Sequence, residues 1–215
     1  MKIYRRILGE FQTNCYIVAS EKGNAVVIDA GDEPQRIEEV LREQNLTLKL
    51  LLLTHGHFDH ILAVKALQKK YQVPVAVCKE DAFMLEEPKS VYTGYYMPVV
   101  DALCIDADKK FQDGDVLTVD ELQFRVIATP GHTPGSCVFA CEDILFTGDT
   151  LFQGSIGRTD LYGGDHVLLI RSLQKLKELP GEYRILSGHG EQTTLSREKL
   201  ENPFMLSEES YDAVY

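Results

Sequence analysis

The chain has 215 residues, five scattered cysteines, and 33 acidic against 22 basic side chains for a formal charge of −11. That acidic balance, with no basic run, argues against a nucleic-acid partner, and no stretch approaches the roughly 20 apolar residues that cross a bilayer. An odd number of cysteines argues against a disulfide framework, so one α/β domain spanning 1–215, cytoplasmic and without a signal peptide, is expected.

Apolar alternation marks strands at 2–8, 14–19 and 24–29, the last two meeting at a Glu21-Lys22-Gly23-Asn24 turn. Gly31, Asp32 and Pro34 end the third strand and begin a helix with Ile37, Val40 and Leu41 on one face. Residues 48–53 form a continuous apolar run, as expected of a strand buried on both faces. After a polar stretch, Ile61, Val64, Leu67 and Tyr71 recur at helical spacing, followed by a strand at 74–77 and a helix at 79–87. From 116 the period becomes two, giving strands at 116–119, 122–128, 136–140 and 144–146. A helix at 166–178, a strand at 183–186 and a short helix near 196–201 complete the reading. Two β-rich halves follow, each covered by helices on its outer side, with polar motifs gathered just past the strand ends. Cys137 and Cys141 lie in an apolar strand and read as packed thiols.

The polar stretch is Thr54-His55-Gly56-His57-Phe58-Asp59-His60. His55 and His57, two apart in extended chain, can point their rings the same way. With Asp59 and His60 they place three imidazoles and a carboxylate in six residues, a donor set that zinc, iron and manganese accept. Three further candidates follow later strands: His132 in Thr129-Pro130-Gly131-His132-Thr133-Pro134-Gly135-Ser136, Asp149 in Gly148-Asp149-Thr150, and His189 in Ser187-Gly188-His189-Gly190. His166, beside Asp165 at a helix start, falls outside this set and reads as surface or capping.

Together these motifs resemble those of the metallo-β-lactamase superfamily over residues 25–203, with Asp29 matching the aspartate that braces the metal loop. The resemblance implies an α/β four-layer αβ/βα sandwich. The sequence is similar to the glyoxalase II-like branch, the hydroxyacylglutathione hydrolases. That similarity implies a first metal on His55, His57 and His132, a second on Asp59, His60 and His189, and Asp149 bridging both. Two divalent ions, zinc foremost with iron or manganese as alternatives, would lie ~3.5–4 Å apart and hold a bridging hydroxide as nucleophile. Asp59 and Asp149 then belong to the catalytic apparatus, and a small-molecule thioester is the implied substrate. The superfamily's β-lactamases replace the His60 and Asp149 positions, and its flavodiiron proteins carry an acidic residue at the His57 position. Its nucleases carry a large insert, for which the 40 residues from Asp149 to His189 leave no room. The resemblance therefore points away from antibiotic hydrolysis, oxygen reduction and nucleic-acid cleavage.

Full-length glyoxalase II enzymes continue into a C-terminal helical domain with basic residues for glutathione. Here 26 residues (215 minus 189) follow the last ligand, Arg197 and Lys199 among them, and Glu191 stands where those enzymes place a substrate-contacting tyrosine. The short subgroup that ends in Glu-Lys-x-x-Asn-Pro-Phe, here residues 198–204, is the closer match. Gly157-Arg158-Thr159-Asp160 resembles a segment of the persulfide dioxygenases, which bind one iron through two histidines and an aspartate. In that alternative, His132, Asp149 and either His55 or His57 would hold iron. A non-catalytic zinc module is a third reading, disfavoured by a donor set without cysteine. Arg158 reads as a substrate contact or as a partner of Asp160 or Asp165. Tyr95 and Tyr96, with Tyr92 and Met97, read as an aromatic pocket wall or as ordinary packing.

Overall fold

A computed structural model describes residues 1–87 and 103–206. The first half opens with an antiparallel meander, β1 (Lys2–Leu8), β2 (Thr13–Ala19) and β3 (Asn24–Ile28). Helix α1 (Pro34–Glu43) then returns the chain to β4 (Thr47–Leu52), parallel to β3. Helix α2 (Val64–Tyr71) leads to β5 (Val75–Cys78) and α3 (Ala82–Glu86) precedes β6 (Lys109–Phe111), both strands again parallel. These six strands form one sheet in sequence order. The second sheet runs β14-β13-β10-β9-β8-β7. It is built from β7 (Val116–Val119), β8 (Leu122–Ala128), β9 (Cys137–Cys141), β10 (Ile144–Gly148), β13 (Arg184–Ser187) and β14 (Thr193–Thr194). A ribbon of β11 (Leu151–Phe152) and β12 (Ser155–Ile156) stands apart, and α4 (His166–Lys177), α5 (Leu195–Glu201) and α6 (Pro203–Leu206) cover the outer face.

Three apolar clusters define four layers. Phe111, Phe124, Phe139 and Phe146 fill the space between the sheets with Ile28 and Leu52. Ile37, Leu41, Val64 and Leu67 pack α1 and α2 onto Val27, Leu51 and Val75 of the first sheet. Leu169, Leu173 and Leu176 of α4 cover Leu145 and Ile185 of the second. The apolar run in β4 is two-sided, as expected: Leu51 faces the helices while Leu50 and Leu52 face the other sheet. This is the helix–sheet–sheet–helix sandwich that the motifs implied.

The departures from the sequence reading are local. β6, the β11–β12 ribbon, β14 and α6 span four residues or fewer, too few for a period to show. α2 starts at Val64 rather than 61, because Phe58–His60 takes a 3₁₀ turn first. α3 covers only Ala82–Glu86 of the expected 79–87. β3 stops at Ile28, since Asp29 adopts a left-handed φ of 55°. Among the described residues no helix is long and apolar enough to cross a membrane. The loops after β4, β8, β10 and β13 are those that carry the candidate ligands.

Candidate metal centre

β4 ends at Leu52, so both histidines lie past the strand, His55 at a bend and His57 in the extended backbone expected of it, with φ −68° and ψ 144°. This segment converges their rings, whose centroids are 4.9 Å apart. The loop after β8 brings His132 to 4.8 Å from the His55 ring and 4.5 Å from the His57 ring. His57 Nδ1 and His132 Nε2 lie 2.8 Å apart. A second group forms beside the first. His60 Nε2 lies 3.3 Å from His189 Nε2, which lies 3.3 Å from Asp59 Oδ2. Asp149 stands between the groups, its Oδ2 3.5 Å from both His132 Nε2 and His189 Nε2 and its Oδ1 3.3 Å from His60 Nε2. All seven predicted ligands are thus brought together, as His55, His57, His132 and as Asp59, His60, His189, with Asp149 reaching both.

The donors fit divalent ions. Ligands at ~2.0–2.1 Å around a tetrahedral ion lie about 3.4 Å from one another, close to the spacings seen here. His55 Nε2 and Asp149 Oδ1 are buried without a hydrogen-bond partner. Leaving such atoms unmatched costs about 1–3 kcal/mol each, and more for a charged group; a cation satisfies both.

Neighbouring groups fix which nitrogens are presented. Asp29 accepts the Thr54 N–H at 2.8 Å and the Thr54 hydroxyl at 2.7 Å, so it braces the loop as the resemblance implied. With its proton given to Asp29, Thr54 Oγ1 accepts from His55 Nδ1 at 3.0 Å, which leaves His55 Nε2 facing the cluster. His132 Nδ1 donates to the Arg158 carbonyl at 2.7 Å, freeing its Nε2 in the same way. Asp29 Oδ2 also lies 3.1 Å from His60 Nδ1, off the line of a hydrogen bond. Two residues absent from the sequence reading hold the last loop: Asn14 Nδ2 donates to the Ser187 and Gly190 carbonyls, and the Tyr16 hydroxyl to the Ser187 carbonyl. The one available signal was a polar Asn14 at the head of an apolar strand. Gly188 must lack a side chain, because a Cβ there would collide with Asp149 Oδ1 and come within 2.7 Å of His60 Cε1.

Electrostatics divide the candidate ligands, holding His55 and His57 neutral while the surrounding carboxylates raise His60 and His189. Burial, reinforced by His132, holds His57 down at about 3, and burial among other imidazoles holds His55 well below its ordinary value. Burial opposes charge on Asp149 as well, but His60, His132 and His189 outweigh it and keep the carboxyl well below the usual carboxylate range. Around His60 the balance reverses: Asp149, Asp59 and Asp29 overcome burial and raise its pKa. Three carboxylates around one buried ring call for positive charge, which a divalent ion supplies.

The cluster floors a cleft of about 660 Å³ whose walls include Phe11, Phe58, Phe152, Ile156, Leu161 and Tyr162. Arg158 and Asp160 stand at its rim in a two-pronged pair, both contacts 2.7 Å. Glu191, in the position of the glyoxalase II tyrosine, pairs with Arg5 at 3.2 and 3.3 Å. Asp165 caps α4 by accepting the Leu168 N–H at 3.0 Å, and His166 is exposed away from the centre. Tyr95 and Tyr96 lie outside the described residues.

Two facing sheets, outer helices and paired His/Asp ligand groups at one sheet edge define the metallo-hydrolase class of fold. The chain belongs to the metallo-beta-lactamase superfamily, whose sequence profile matches residues 8–189. It is 40% identical over 202 residues to hydroxyacylglutathione hydrolase GloC of Haemophilus influenzae, covering 92% of this chain and 94% of that one. It is also similar to the crystal structure of BLEG-1 B3 metallo-beta-lactamase, with a TM-score of 0.86 and 37% identity over 96% of this chain and 100% of the other. A second similar structure, TTHA1623 in a di-iron-bound form, has a TM-score of 0.80 and 34% identity over 94% and 99% of the two chains.

Proposed function

We propose that this chain is a cytoplasmic, dinuclear metal-dependent hydrolase that cleaves a small thioester, in the manner of glyoxalase II. The observation that carries the reading is the convergence of His55, His57, Asp59, His60, His132, Asp149 and His189, of which His57, Asp59, His132, Asp149 and His189 line one cleft. The first three-ligand group would be His55, His57 and His132, the second Asp59, His60 and His189, with Asp149 serving both. Zinc is the proposed occupant; iron is the alternative, supported by the di-iron form of the relative. Bound there, the two ions supply an acidified water and positive charge opposite a carbonyl oxygen.

The protein groups bind and orient. Asp59 and Asp149 stay ionised as donors, while Thr54 and the Arg158 carbonyl hold the Nδ1 protons of His55 and His132. Burial of His55 and His60 keeps bulk water from the inner side of the centre. Phe11, Phe58, Phe152, Ile156, Leu161 and Tyr162 bury the apolar part of the substrate, and the Arg158–Asp160 pair meets its polar end. The likeness to a protein named as a hydroxyacylglutathione hydrolase supports the thioester.

A second reading has its own observation. The Gly-Arg-Thr-Asp segment shared with persulfide dioxygenases touches the first ligand group through the Arg158 carbonyl on His132. A panel of lactoylglutathione, simpler acyl thioesters, lactones, a β-lactam and glutathione persulfide separates the readings. Thioester turnover that a chelator abolishes and zinc restores is expected. Oxygen uptake on the persulfide without thioester turnover would replace the hydrolase reading with the dioxygenase one. Turnover confined to the β-lactam would move the substrate class to the one in BLEG-1's name.

A further inference from the structure

We propose that Asp81 is a positioning residue for the first ligand group, setting the separation between the loop that bears His55 and His57 and the loop that bears His132. The inference rests on the metal reading above. Asp81 follows β5 at the N-terminal boundary of α3, where an aspartate ordinarily accepts amide protons of its own helix. Its side chain makes no such bond. It is fully buried and reaches two other segments instead. Oδ2 accepts the Gly56 N–H at 2.9 Å and the Thr133 hydroxyl at 2.7 Å, while Oδ1 accepts the Gly135 N–H at 2.6 Å.

Gly56 lies between His55 and His57, and Thr133 follows His132. One carboxylate therefore ties together the backbones that present all three imidazoles. The close approach is built into the second loop, because a Cβ on Gly135 would stand 2.6 Å from the Asp81 carboxylate. Ser136 fixes the remaining freedom: its Oγ accepts the Thr133 N–H at 3.0 Å and lies 2.7 Å from Thr133 Oγ1, whose proton is already directed to Asp81. The second group is held by different residues, with Asp29 beside His60 and Asn14 and Tyr16 on the loop of His189. Loss of the Asp81 tie therefore acts chiefly on the first group. Asparagine keeps the shape of Asp81 but turns an N–H₂ toward one of the loop donors, so it breaks the tie without opening a cavity.

Chelator-stripped protein is titrated with Zn²⁺ against a competing chelator for wild type, Asp81→Asn, Thr133→Val and Thr133→Ser, with melting of each metal-free form recorded. His132→Ala identifies which of the two affinities belongs to the first group. Wild type is expected to bind two ions. Asp81→Asn and Thr133→Val should weaken the first affinity roughly 10–100-fold, the range seen when a ligand's supporting partner is removed. The second affinity should stay unchanged, the metal-free melting should fall modestly in Asp81→Asn because its buried amide faces a loop donor, and Thr133→Ser should restore the first affinity. Unaltered binding of both ions by Asp81→Asn and Thr133→Val would overturn the inference and leave the metal reading standing. An equal fall of both affinities would overturn it too, reducing Asp81 to support of the fold. Fewer than two ions on wild type would overturn the metal reading and this inference together.

Discussion

Asp149 is the side chain that both ligand groups share, and its position follows from β10 ending in Gly148, directly beside the His189 loop. Asp149→Asn keeps the volume and removes the charge between the groups. Thioester hydrolysis should fall by at least about 100-fold, roughly 2.7 kcal/mol of transition-state stabilisation, and the metal content should drop below two ions per chain. Full activity in that variant would remove the bridging role. The cysteines make a second prediction at this scale. Burial, aided by Glu80, pushes Cys78 up to about 12, and burial pushes Cys141 up to about 11; Cys15 and Cys137 stand well above their ordinary value for the same reason. A raised thiol pKa means fewer thiolates at any lower pH, and only the thiolate reacts, so near pH 8 these four should resist a thiol reagent in the native state. Cys104 is exposed and should react first; rapid labelling of more than one thiol would contradict this. Residue identity was most legible where chemistry demands rare types at fixed spacing, as at residues 55–60. Asn14, Tyr16 and Asp81 were not legible, because they act by hydrogen bonds between segments distant in sequence. Asn14 and Ser187 are 173 positions apart, and an aspartate before a helix has an ordinary capping explanation.

The C-terminal Glu-Lys-x-x-Asn-Pro-Phe segment acquires a task once α5 is seen against the β11–β12 ribbon. Two-residue strands cannot hold themselves together in water. Glu198, buried on α5, accepts the Gly154 N–H at 2.8 Å and the Thr193 hydroxyl at 2.6 Å. Asn202 donates to the Ser155 carbonyl at 3.1 Å and to Glu198 at 2.9 Å. The pair thereby holds the ribbon whose Phe152 and Ile156 wall the cleft. Glu198→Gln should cost about 1–3 kcal/mol, because it turns buried donors against one another. Denaturant unfolding reads that loss, and KM should rise more than kcat falls as the wall loosens. A variant as stable as wild type with unchanged KM would dismiss the clamp. Long elements were legible because burial imposes a period on them. The ribbon, β6 and β14 were not, since their strands exist only through partners brought by the rest of the fold. The 3₁₀ turn at Phe58–His60 was hidden in a different way: it places Asp59 and His60 toward the centre at the expense of the helical start that Ile61 suggested.

Across the whole molecule, the two sheets pack face to face and loops from both carry the candidate ligands, so the ions would cross-link the halves through ligands after β4 and β8, β10 and β13. Metal removal should therefore lower the melting temperature. Each site held at a hundredfold excess over its dissociation constant contributes about 2.7 kcal/mol; equal melting with and without chelator would contradict this. The same architecture explains why fold class was readable from sequence while substrate was not. The candidate ligands follow motif spacing, whereas the cleft walls come from Phe11, Phe58, Phe152, Ile156, Leu161 and Tyr162, drawn from three loops and two short strands. The dinuclear hydrolase reading is tested most directly by titrating metal-stripped protein with Zn²⁺ while thioester hydrolysis and bound metal are followed together. Hydrolysis is expected to appear as binding saturates at two ions per chain. Saturation at a single ion, or two bound ions with no hydrolysis of any thioester, would contradict it.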